Sequence, residues 1–380
     1  MSARRAASAL AAALVLAGCA AGTPAGPAAS RTHSGAPAAP APSPSADRAA
    51  PATPHGTLLV ADFGGDTVTF VDPDPGQDRH TLGSVEVGTA PYGLVVDAEG
   101  LAWVATAEGV AVVDTAKRTR LARIPYRTRT GPVTTGEYRG GGMGIALAPD
   151  GRHVYVGVHV PGRDGVLEIV DTATREVTGT VPVGRRPFDV DVSPDGSEVY
   201  ATGHDSFDVT AVDPVTRGTR RFEVAPYGTE GGLGSWLKPH YAVVRPADGK
   251  LLLPFEGERL VVLDPRTGRS TVEPMTADTH QHGATLAPDG TLLVVGTGPV
   301  LSEDRGPSLT IRTPGGAERV VPLDGPHEDV AVSADGRTAY VTGGFTRDGY
   351  GNGITVVDLT GAKRPFEVVA GARPLGIAVL

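Results

Sequence analysis

The stretch that decides the fold is RPFDVDVSPDGSEVYAT, residues 186–202. A run of alternating apolar and polar residues meets the turn Pro194-Asp195-Gly196, and a second apolar run follows it. Asp-Gly between two such runs is the strongest short-range signal for a β-hairpin. A third run, ending at Val212-Asp213, and a short fourth run complete a unit that predicts four antiparallel strands.

The unit recurs along the chain from residue 57, and such internal repetition decides the architecture. The first strands of the copies begin near Tyr92, Met143, Phe188, His240, His282, Glu328 and Leu375. The third strands are expected to end at Asp72, Asp114, Asp171, Asp213, Asp264, Arg312 and Asp358. The folded part begins with the second strand of a blade and ends with the first strand of a blade. Both ends are explained if the chain forms a ring in which the last strand of the sequence completes the first blade. The sequence predicts an all-β, seven-bladed β-propeller of four-stranded antiparallel blades over residues 56–380, and closure of the ring removes exposed sheet edges.

The composition agrees with this fold and excludes several classes of protein. The chain has 380 residues, with 52 Gly and 33 Pro, which argues against a helical bundle and for many short elements. Its formal net charge of −9 argues against a nucleic-acid partner. The one cysteine excludes a disulfide framework and multi-cysteine metal sites. We expect a monomer.

The first 55 residues are predicted to direct the protein to a membrane. Arg4 and Arg5 precede an apolar run of about 12 residues, which is too short to span a bilayer and fits a secretory signal peptide over residues 1–18. The run ends in Leu16-Ala17-Gly18-Cys19, which resembles the lipobox of bacterial lipoproteins and implies lipidation of Cys19. Residues 19–55, rich in Pro, Ala and Ser, follow as a tether. The expected location is extracytoplasmic, with a lipid anchor in the cell membrane.

Histidines gather at one end of the predicted ring. In an up-and-down blade, the start of the first strand and the end of the second lie on the same face, which we call the histidine face, and the Pro-Asp-Gly turns lie on the opposite face. Five of the eight histidines after residue 55 occupy those positions, where a random distribution predicts about 0.7. The candidate metal ligands are His159, His204, His240, His282 and His327. Additional candidate ligands beside them are Asp205, Glu256, His280 and Glu328.

These side chains favour a transition metal. Imidazole and carboxylate are the ligands that Zn²⁺ takes when thiolates are absent, and Cu²⁺ is an alternative. His280 and His282 lie two apart, so a strand would point both to one side. Whether the histidines form one site or two stays open at this stage.

Several segments resemble known propeller families. SPDGSEVYATG (193–203), APDGRHVYVGV (148–158) and SADGRTAYVTGG (333–344) are similar to the YVTN-type propeller repeat of bacterial envelope proteins. KPHYAVVRPADGKLLLPFEGERLVVLD (238–264) and DTHQHGATLAPDGTLLVVGTG (278–298) resemble the histidine-bearing blades of periplasmic zinc-chaperone propellers. That resemblance implies a zinc metallochaperone or buffer, carries over to His240 and His282, and implies a metal importer's solute-binding protein as partner.

Two other functions stay open from the sequence. One is a metal-free propeller scaffold that binds protein or glycan partners in the cell envelope, since propeller faces present many loops on a rigid ring. The other is a hydrolase, because HQHGATLAPDG (280–290) resembles the His-x-His motif of propeller lactonases. Matching Arg and Glu partners for that motif are not found in the sequence, and no catalytic residue is assigned.

Overall fold

The structure is a computed structural model that describes residues 56–225, 238–255, 257, 259–277, 279–298, 306–344 and 351–380. The signal peptide, the tether, Cys19 and Glu256 lie outside the described residues. Every regular element in the described ranges is a β-strand. No helix long and apolar enough to cross a membrane occurs there.

The strands form seven four-stranded antiparallel sheets, which confirms the predicted propeller. Blades one to three are, from the innermost strand outward: β28 (Pro374–Val379), β1 (Leu58–Asp62), β2 (Thr67–Val71), β3 (Thr81–Glu86); β4 (Leu94–Val96), β5 (Leu101–Ala105), β6 (Gly109–Asp114), β7 (Thr119–Pro125); β8 (Gly141–Leu147), β9 (His153–His159), β10 (Val166–Asp171), β11 (Glu176–Pro182).

Blades four to seven repeat the same order of strands. They are β12 (Pro187–Val192), β13 (Val199–Gly203), β14 (Asp208–Val212), β15 (Thr219–Glu223); β16 (Val243–Val244), β17 (Leu251–Phe255), β18 (Arg259–Asp264), β19 (Arg269–Pro274); β20 (Gln281–Leu286), β21 (Leu292–Gly296), β22 (Ser308–Arg312), β23 (Glu318–Pro322); β24 (Val330–Val332), β25 (Thr338–Thr342), β26 (Gly353–Asp358), β27 (Phe366–Val369).

The ring closes as the sequence predicts, by pairing of the last strand with the first. β28 lies antiparallel to β1, with Val379 opposite Leu58 and Ile377 opposite Val60. Leu58, Leu59, Val60 and Ala61 are fully buried. The C-terminal strand therefore covers an edge of β1 that would otherwise present unpaired backbone groups and apolar side chains.

The hydrophobic core lies between successive blades. The second and third strands of each blade are almost entirely buried, and their alternating side chains pack against both neighbouring sheets. The outermost strands are mostly exposed, as in β7 and β15. This gradient explains why the inner sequences read as continuous apolar runs and the outer ones as polar or alternating runs.

Glycines let the innermost strands approach one another around the axis. A Cβ on Gly144 would lie 2.5 Å from the backbone of Asp189 in the next blade, and one on Gly283 would lie 2.6 Å from the Cα of Asp329. Backbone hydrogen bonds run across these contacts, from Gly283 N to Glu328 O at 2.8 Å and from Gly376 N to Tyr92 O at 3.1 Å. The innermost strands thus form a tight ring whose side chains meet near the axis.

Candidate metal centre

One ring of buried side chains defines the histidine face. Strand pairing places its members four residues before the end of each innermost strand, and all are at least 97% buried except His282, which is 4% exposed. The ring consists of Tyr92, Met143, Phe188, His240, His282, Glu328 and Leu375. It is apolar on one side of the axis and carries imidazoles and a carboxylate on the other.

The turn that leads into the innermost strand supplies further side chains two residues before this ring. Ala90, Gly141, Arg186 and Arg373 hold that position with positive φ angles. His280 holds the same position in the sixth blade, where Thr297 N donates to its carbonyl oxygen at 2.9 Å. The turn therefore positions His280 beside His282.

Four imidazoles from three blades meet at the polar side of the ring. His240 is central: its Nε2 lies 3.0 Å from Nε2 of His204 and 3.1 Å from Nε2 of His280. Its ring is stacked on His282, with centroids 4.4 Å apart. One ligand nitrogen from each of His240, His280 and His282 lies within 4.8 Å of the others. We call His204, His240, His280 and His282 the imidazole cluster.

Carboxylates hold two of these rings from behind. The Nδ1 of His204 lies 2.6 Å from Asp205 Oδ1, and Lys238 Nζ lies 3.3 Å from the same oxygen. The Nδ1 of His282 lies 3.1 Å from Glu328 Oε1. Glu328 is fully buried and also accepts hydrogen bonds from the hydroxyls of Tyr92 at 2.9 Å and Tyr241 at 3.3 Å. The hydrogen bond with Asp205 orients the His204 ring and leaves its Nε2 as the nitrogen with a lone pair, which is the usual arrangement behind a metal-binding histidine.

Burial keeps two imidazoles of the cluster, those of His204 and His240, uncharged at neutral pH. Burial lowers the pKa of His204 to about 3, and the charge of Arg186 adds to the effect against the opposing hydrogen bond with Asp205. The pKa of His240 is lowered well below its ordinary value by burial and by the neighbouring imidazoles. Burial raises the pKa of Asp205, but the hydrogen bond with His204 and nearby positive charges outweigh that effect and lower it. His204 and His240 are therefore neutral imidazoles, the protonation state that binds metals.

The nitrogens of the cluster share too few protons to satisfy one another. If His204 donates from Nδ1 to Asp205, its Nε2 can only accept. A single proton on His240 Nε2 must then serve both the His204 and His280 contacts. A cation among the lone pairs removes this conflict. Tetrahedral coordination with metal–nitrogen bonds of about 2.05 Å separates ligand nitrogens by roughly 3.3 Å, close to the contacts of His240.

Aromatic rings pack against the apolar side of the imidazole cluster. Phe188 stacks on His204 with centroids 5.4 Å apart and meets His240 edge-on at 5.2 Å. Tyr92 and Tyr241 pack edge-on against Phe188, each at 5.5 Å. The sequence analysis did not single out these three residues, although Phe188 and Tyr92 occupy the repeat position of His240 and His282, and Tyr241 directly follows His240.

The structure does not bring all five predicted histidines together. His204, His240 and His282 meet, and His280, proposed only as an additional ligand, joins them at the centre. His327 lies apart: its Nδ1 contacts Gly325 O at 2.6 Å and its Nε2 contacts Thr355 Oγ1 at 2.8 Å. The backbone there turns the ring away, since the innermost strand's ring position belongs to Glu328.

His159 lies on the same face without a contact to the cluster among the described residues. It is 5% exposed, and burial together with the charge of Arg186 lowers its pKa to about 4. His159 ends β9, where it lies opposite Gly141 of the neighbouring strand β8. Of the additional candidates, Asp205 and Glu328 stand behind cluster histidines, and Glu256 lies outside the described residues.

Comparison with known proteins gives the fold and no family. No protein-family model and no curated protein matches the chain. The periplasmic gluconolactonase PpgL of Pseudomonas aeruginosa is similar in structure, with a TM-score of 0.59, 15% identity and coverage of 85% of this chain and 99% of that one. A functionally unknown protein from Desulfotomaculum acetoxidans has a TM-score of 0.60, 11% identity and coverage of 85% and 98%. Kuenenia stuttgartiensis hydrazine synthase has a TM-score of 0.56, 17% identity and coverage of 71% and 76%. At such identities the likeness shows a shared β-propeller fold.

Proposed function

We propose that this protein is a propeller that binds a transition metal, zinc in the first place, at the imidazole cluster. The observation that carries the proposal is the meeting of His240, His280 and His282, each of which offers one nitrogen within 4.8 Å of the others. His204 adds a nitrogen next to His240, with 3.0 Å between the two Nε2 atoms. Three or four buried imidazoles, two of which have a carboxylate beside Nδ1, fit a zinc site, and Cu²⁺ is the alternative ion.

The burial of the cluster favours storage or transfer of the ion over catalysis on it. Each of the four histidines is at most 8% exposed, and Phe188 covers one flank. If all four imidazoles bind the ion, no position is left for a substrate, which is typical of a non-catalytic site. The resemblance of residues 238–264 and 278–298 to zinc-chaperone blades supports the same function, a metallochaperone or buffer whose partner is a metal importer's solute-binding protein.

The test is titration of the chelator-treated protein with Zn²⁺ and Cu²⁺ by calorimetry. We expect one equivalent of Zn²⁺ to bind, and His240→Ala to weaken binding by more than about 100-fold, because His240 contacts three of the other imidazoles. Asp205→Asn and Glu328→Gln should weaken it by about 10–100-fold, the usual effect of losing an outer partner.

His153→Ala is the matched control. His153 begins β9 on the opposite face, so this variant should bind like the wild type. Absence of stoichiometric binding, or binding that His240→Ala leaves unchanged, would refute the metal site and leave the scaffold for protein or glycan partners as the favoured function.

A lactonase-type hydrolase is the second candidate. Glu328, with the hydroxyls of Tyr92 and Tyr241 and the ring of His282 around it, is a buried acid–base network of the kind that moves protons in enzymes. A gluconolactonase is among the proteins of similar structure. Turnover of a lactone panel that Glu328→Gln abolishes would favour this function over metal storage.

We also propose that residues 1–18 are removed and that Cys19 anchors the propeller to the outer surface of the cell membrane by a lipid. The lipobox-like Leu16-Ala17-Gly18-Cys19 supports it. Palmitate labelling and membrane fractionation, compared between wild type and Cys19→Ala, test it: label that persists in the variant would contradict the anchor.

A further inference from the structure

Two nitrogens of a buried guanidinium beside the imidazole cluster have no hydrogen-bond partner among the described residues. Arg186 is fully buried, directly before the innermost strand of the fourth blade. Its Nη2 donates to Glu137 O at 2.9 Å and lies 3.5 Å from Glu137 Oε1. Its Nε and Nη1 have no partner in the part of the chain that the structure describes. Buried polar groups are almost always paired, so two unpaired N–H-bearing nitrogens on a charged side chain call for a ligand.

Arg186 lies close to the cluster. Its guanidinium lies over the ring of Phe188 at 5.2 Å, and that ring stacks on His204 and meets His240. Its positive charge contributes to the lowered pKa values of His159, His204 and His240, for which burial is the main cause. The Nδ1 of His159, on the same face, also lacks a hydrogen-bond partner among the described residues.

A divalent cation would leave this region with excess positive charge. The charged side chains around the cluster and Arg186 in the described structure are four carboxylates and three cations. They are Glu137, Asp189, Asp205 and Glu328, and Arg139, Arg186 and Lys238. His204 and His240 are neutral, so a bound dication leaves a net positive charge that an accompanying anion would reduce.

We infer that Arg186 binds a small carboxylate as a second ligand beside the metal. The inference rests on the proposed metal site for its coupling with zinc, whereas the unpaired nitrogens of Arg186 stand independently of it. The Nε and Nη1 hydrogens lie on different edges of the guanidinium, so each can donate to a carboxylate oxygen on its own or in a fork with the second hydrogen of Nη2. The buried setting strengthens such charge-assisted bonds.

Tyr138 covers one face of the Arg186 guanidinium and reaches the surface. Its ring centroid lies 4.2 Å from the guanidinium carbon, and the residue is 55% exposed. This side of Arg186 is the one closest to solvent, so the entry of the anion is placed here.

The carboxylate and the metal bind cooperatively, because their opposite charges attract across a buried region of low dielectric constant. Such coupling is reciprocal, and coupling between sites commonly changes affinity by about 5–150-fold. Acetate is the probe. At constant ionic strength, replacement of chloride by acetate should raise the Zn²⁺ affinity of the full protein at least about fivefold. Acetate should also raise the unfolding temperature of the chelator-treated protein.

Arg186→Gln is the test variant and Arg185→Gln its control. Arg185 is the preceding residue, but its side chain is 46% exposed and pairs with Asp164. Arg185→Gln should keep both acetate effects. Arg186→Gln should lose both and still bind Zn²⁺. Should Arg186→Gln fail to fold, Arg186→Lys replaces it: the charge stays but the fork is lost, so the acetate effects should fall.

The outcomes separate this inference from the metal site. A wild type that binds Zn²⁺ without any response to acetate overturns the carboxylate site alone, and so does an Arg186→Gln protein that responds as the wild type does. A wild type that binds no Zn²⁺ refutes the metal site. In that case the carboxylate site stands if acetate still raises the unfolding temperature of the metal-free protein, and is refuted if it does not.

Discussion

At the scale of the residue, different side chains occupy equivalent positions of the repeat. The buried ring carries Tyr92, Phe188, His240 and Glu328 at one repeat position. The turn two residues earlier carries Arg186 in one blade and His280 in another. At the ring position, the imidazoles and the carboxylate all come from blades five to seven.

His204 should make the stability of the metal-free protein depend on pH. Its pKa is about 3 when folded and about 6.5 when unfolded, so the unfolded state binds the extra proton between those values. The free energy of unfolding therefore falls as the pH drops below about 6.5, by at most about 1.4 kcal/mol per pH unit for this one group. His204→Asn removes that contribution, so the variant should lose less stability than the wild type between pH 7 and 5.

Urea unfolding at pH 7, 6 and 5 in the presence of a chelator measures the difference. His153→Asn, a half-buried residue on the opposite face, should follow the wild type. Parallel curves for wild type and His204→Asn would show that the imidazole is not held neutral by burial.

At the scale of the element, the innermost strands depend on residues that have no side chain. Gly144 faces the backbone of Asp189 so closely that an added Cβ would lie 2.5 Å from its Cα and carbonyl carbon. Backbone atoms cannot move aside as a flexible side chain can. The contact between β8 and β12 must therefore open when any side chain is introduced there.

Gly144→Ala should destabilise the propeller by about 1–3 kcal/mol, the usual cost of overpacking a tight contact. Denaturant unfolding measures the loss. Gly315→Ala is the control, because a Cβ at Gly315 meets only the Thr313 hydroxyl at 3.9 Å in an exposed turn. Equal stability of the two variants would mean that β8 and β12 are farther apart than the structure places them.

The hairpin turns show how far local sequence reaches at this scale. Ser193 N donates to Glu198 O across the turn, and Gly196 adopts a φ of +72° that suits glycine. The sequence predicts the Pro-Asp-Gly turn correctly because the hydrogen bond that closes it joins residues within a six-residue segment. In the fifth blade the Asp-Gly pair comes one residue later, yet Arg245 N still donates to Lys250 O, which keeps His240 in register with Phe188.

At the scale of the whole molecule, closure of the ring is the property on which the site depends. The imidazole cluster draws on blades four, five and six, and Tyr92 reaches Glu328 from a blade 236 residues away in sequence. Those groups meet only when all seven blades stand around one axis. The seam between β1 and β28 is the single place where sequence-distant strands hold one blade together.

Deletion of residues 374–380 should therefore abolish cooperative unfolding and metal binding together, since it uncovers the buried edge of β1. Circular dichroism melts and size-exclusion chromatography check this outcome. A synthetic peptide of those seven residues should restore the melt by strand addition.

A circular permutant is the control for this deletion. It joins residue 380 to residue 57 and opens the chain at the Asp150-Gly151 turn, so it preserves the seam and should fold. A truncated protein that melts like the wild type would show that the seam is dispensable.

The sequence by itself determined the fold, the blade count, the closure of the ring and the face on which the histidines lie. These follow from periodicity and turn residues, which act over a few neighbouring positions. Only the tertiary structure decided that His280 joins His204, His240 and His282 while His327 turns away, and that Arg186 is buried with unpaired nitrogens. Those outcomes depend on distances between side chains of blades that are far apart in the sequence. The position of a residue in the repeat gives its face of the ring but not the direction of its side chain.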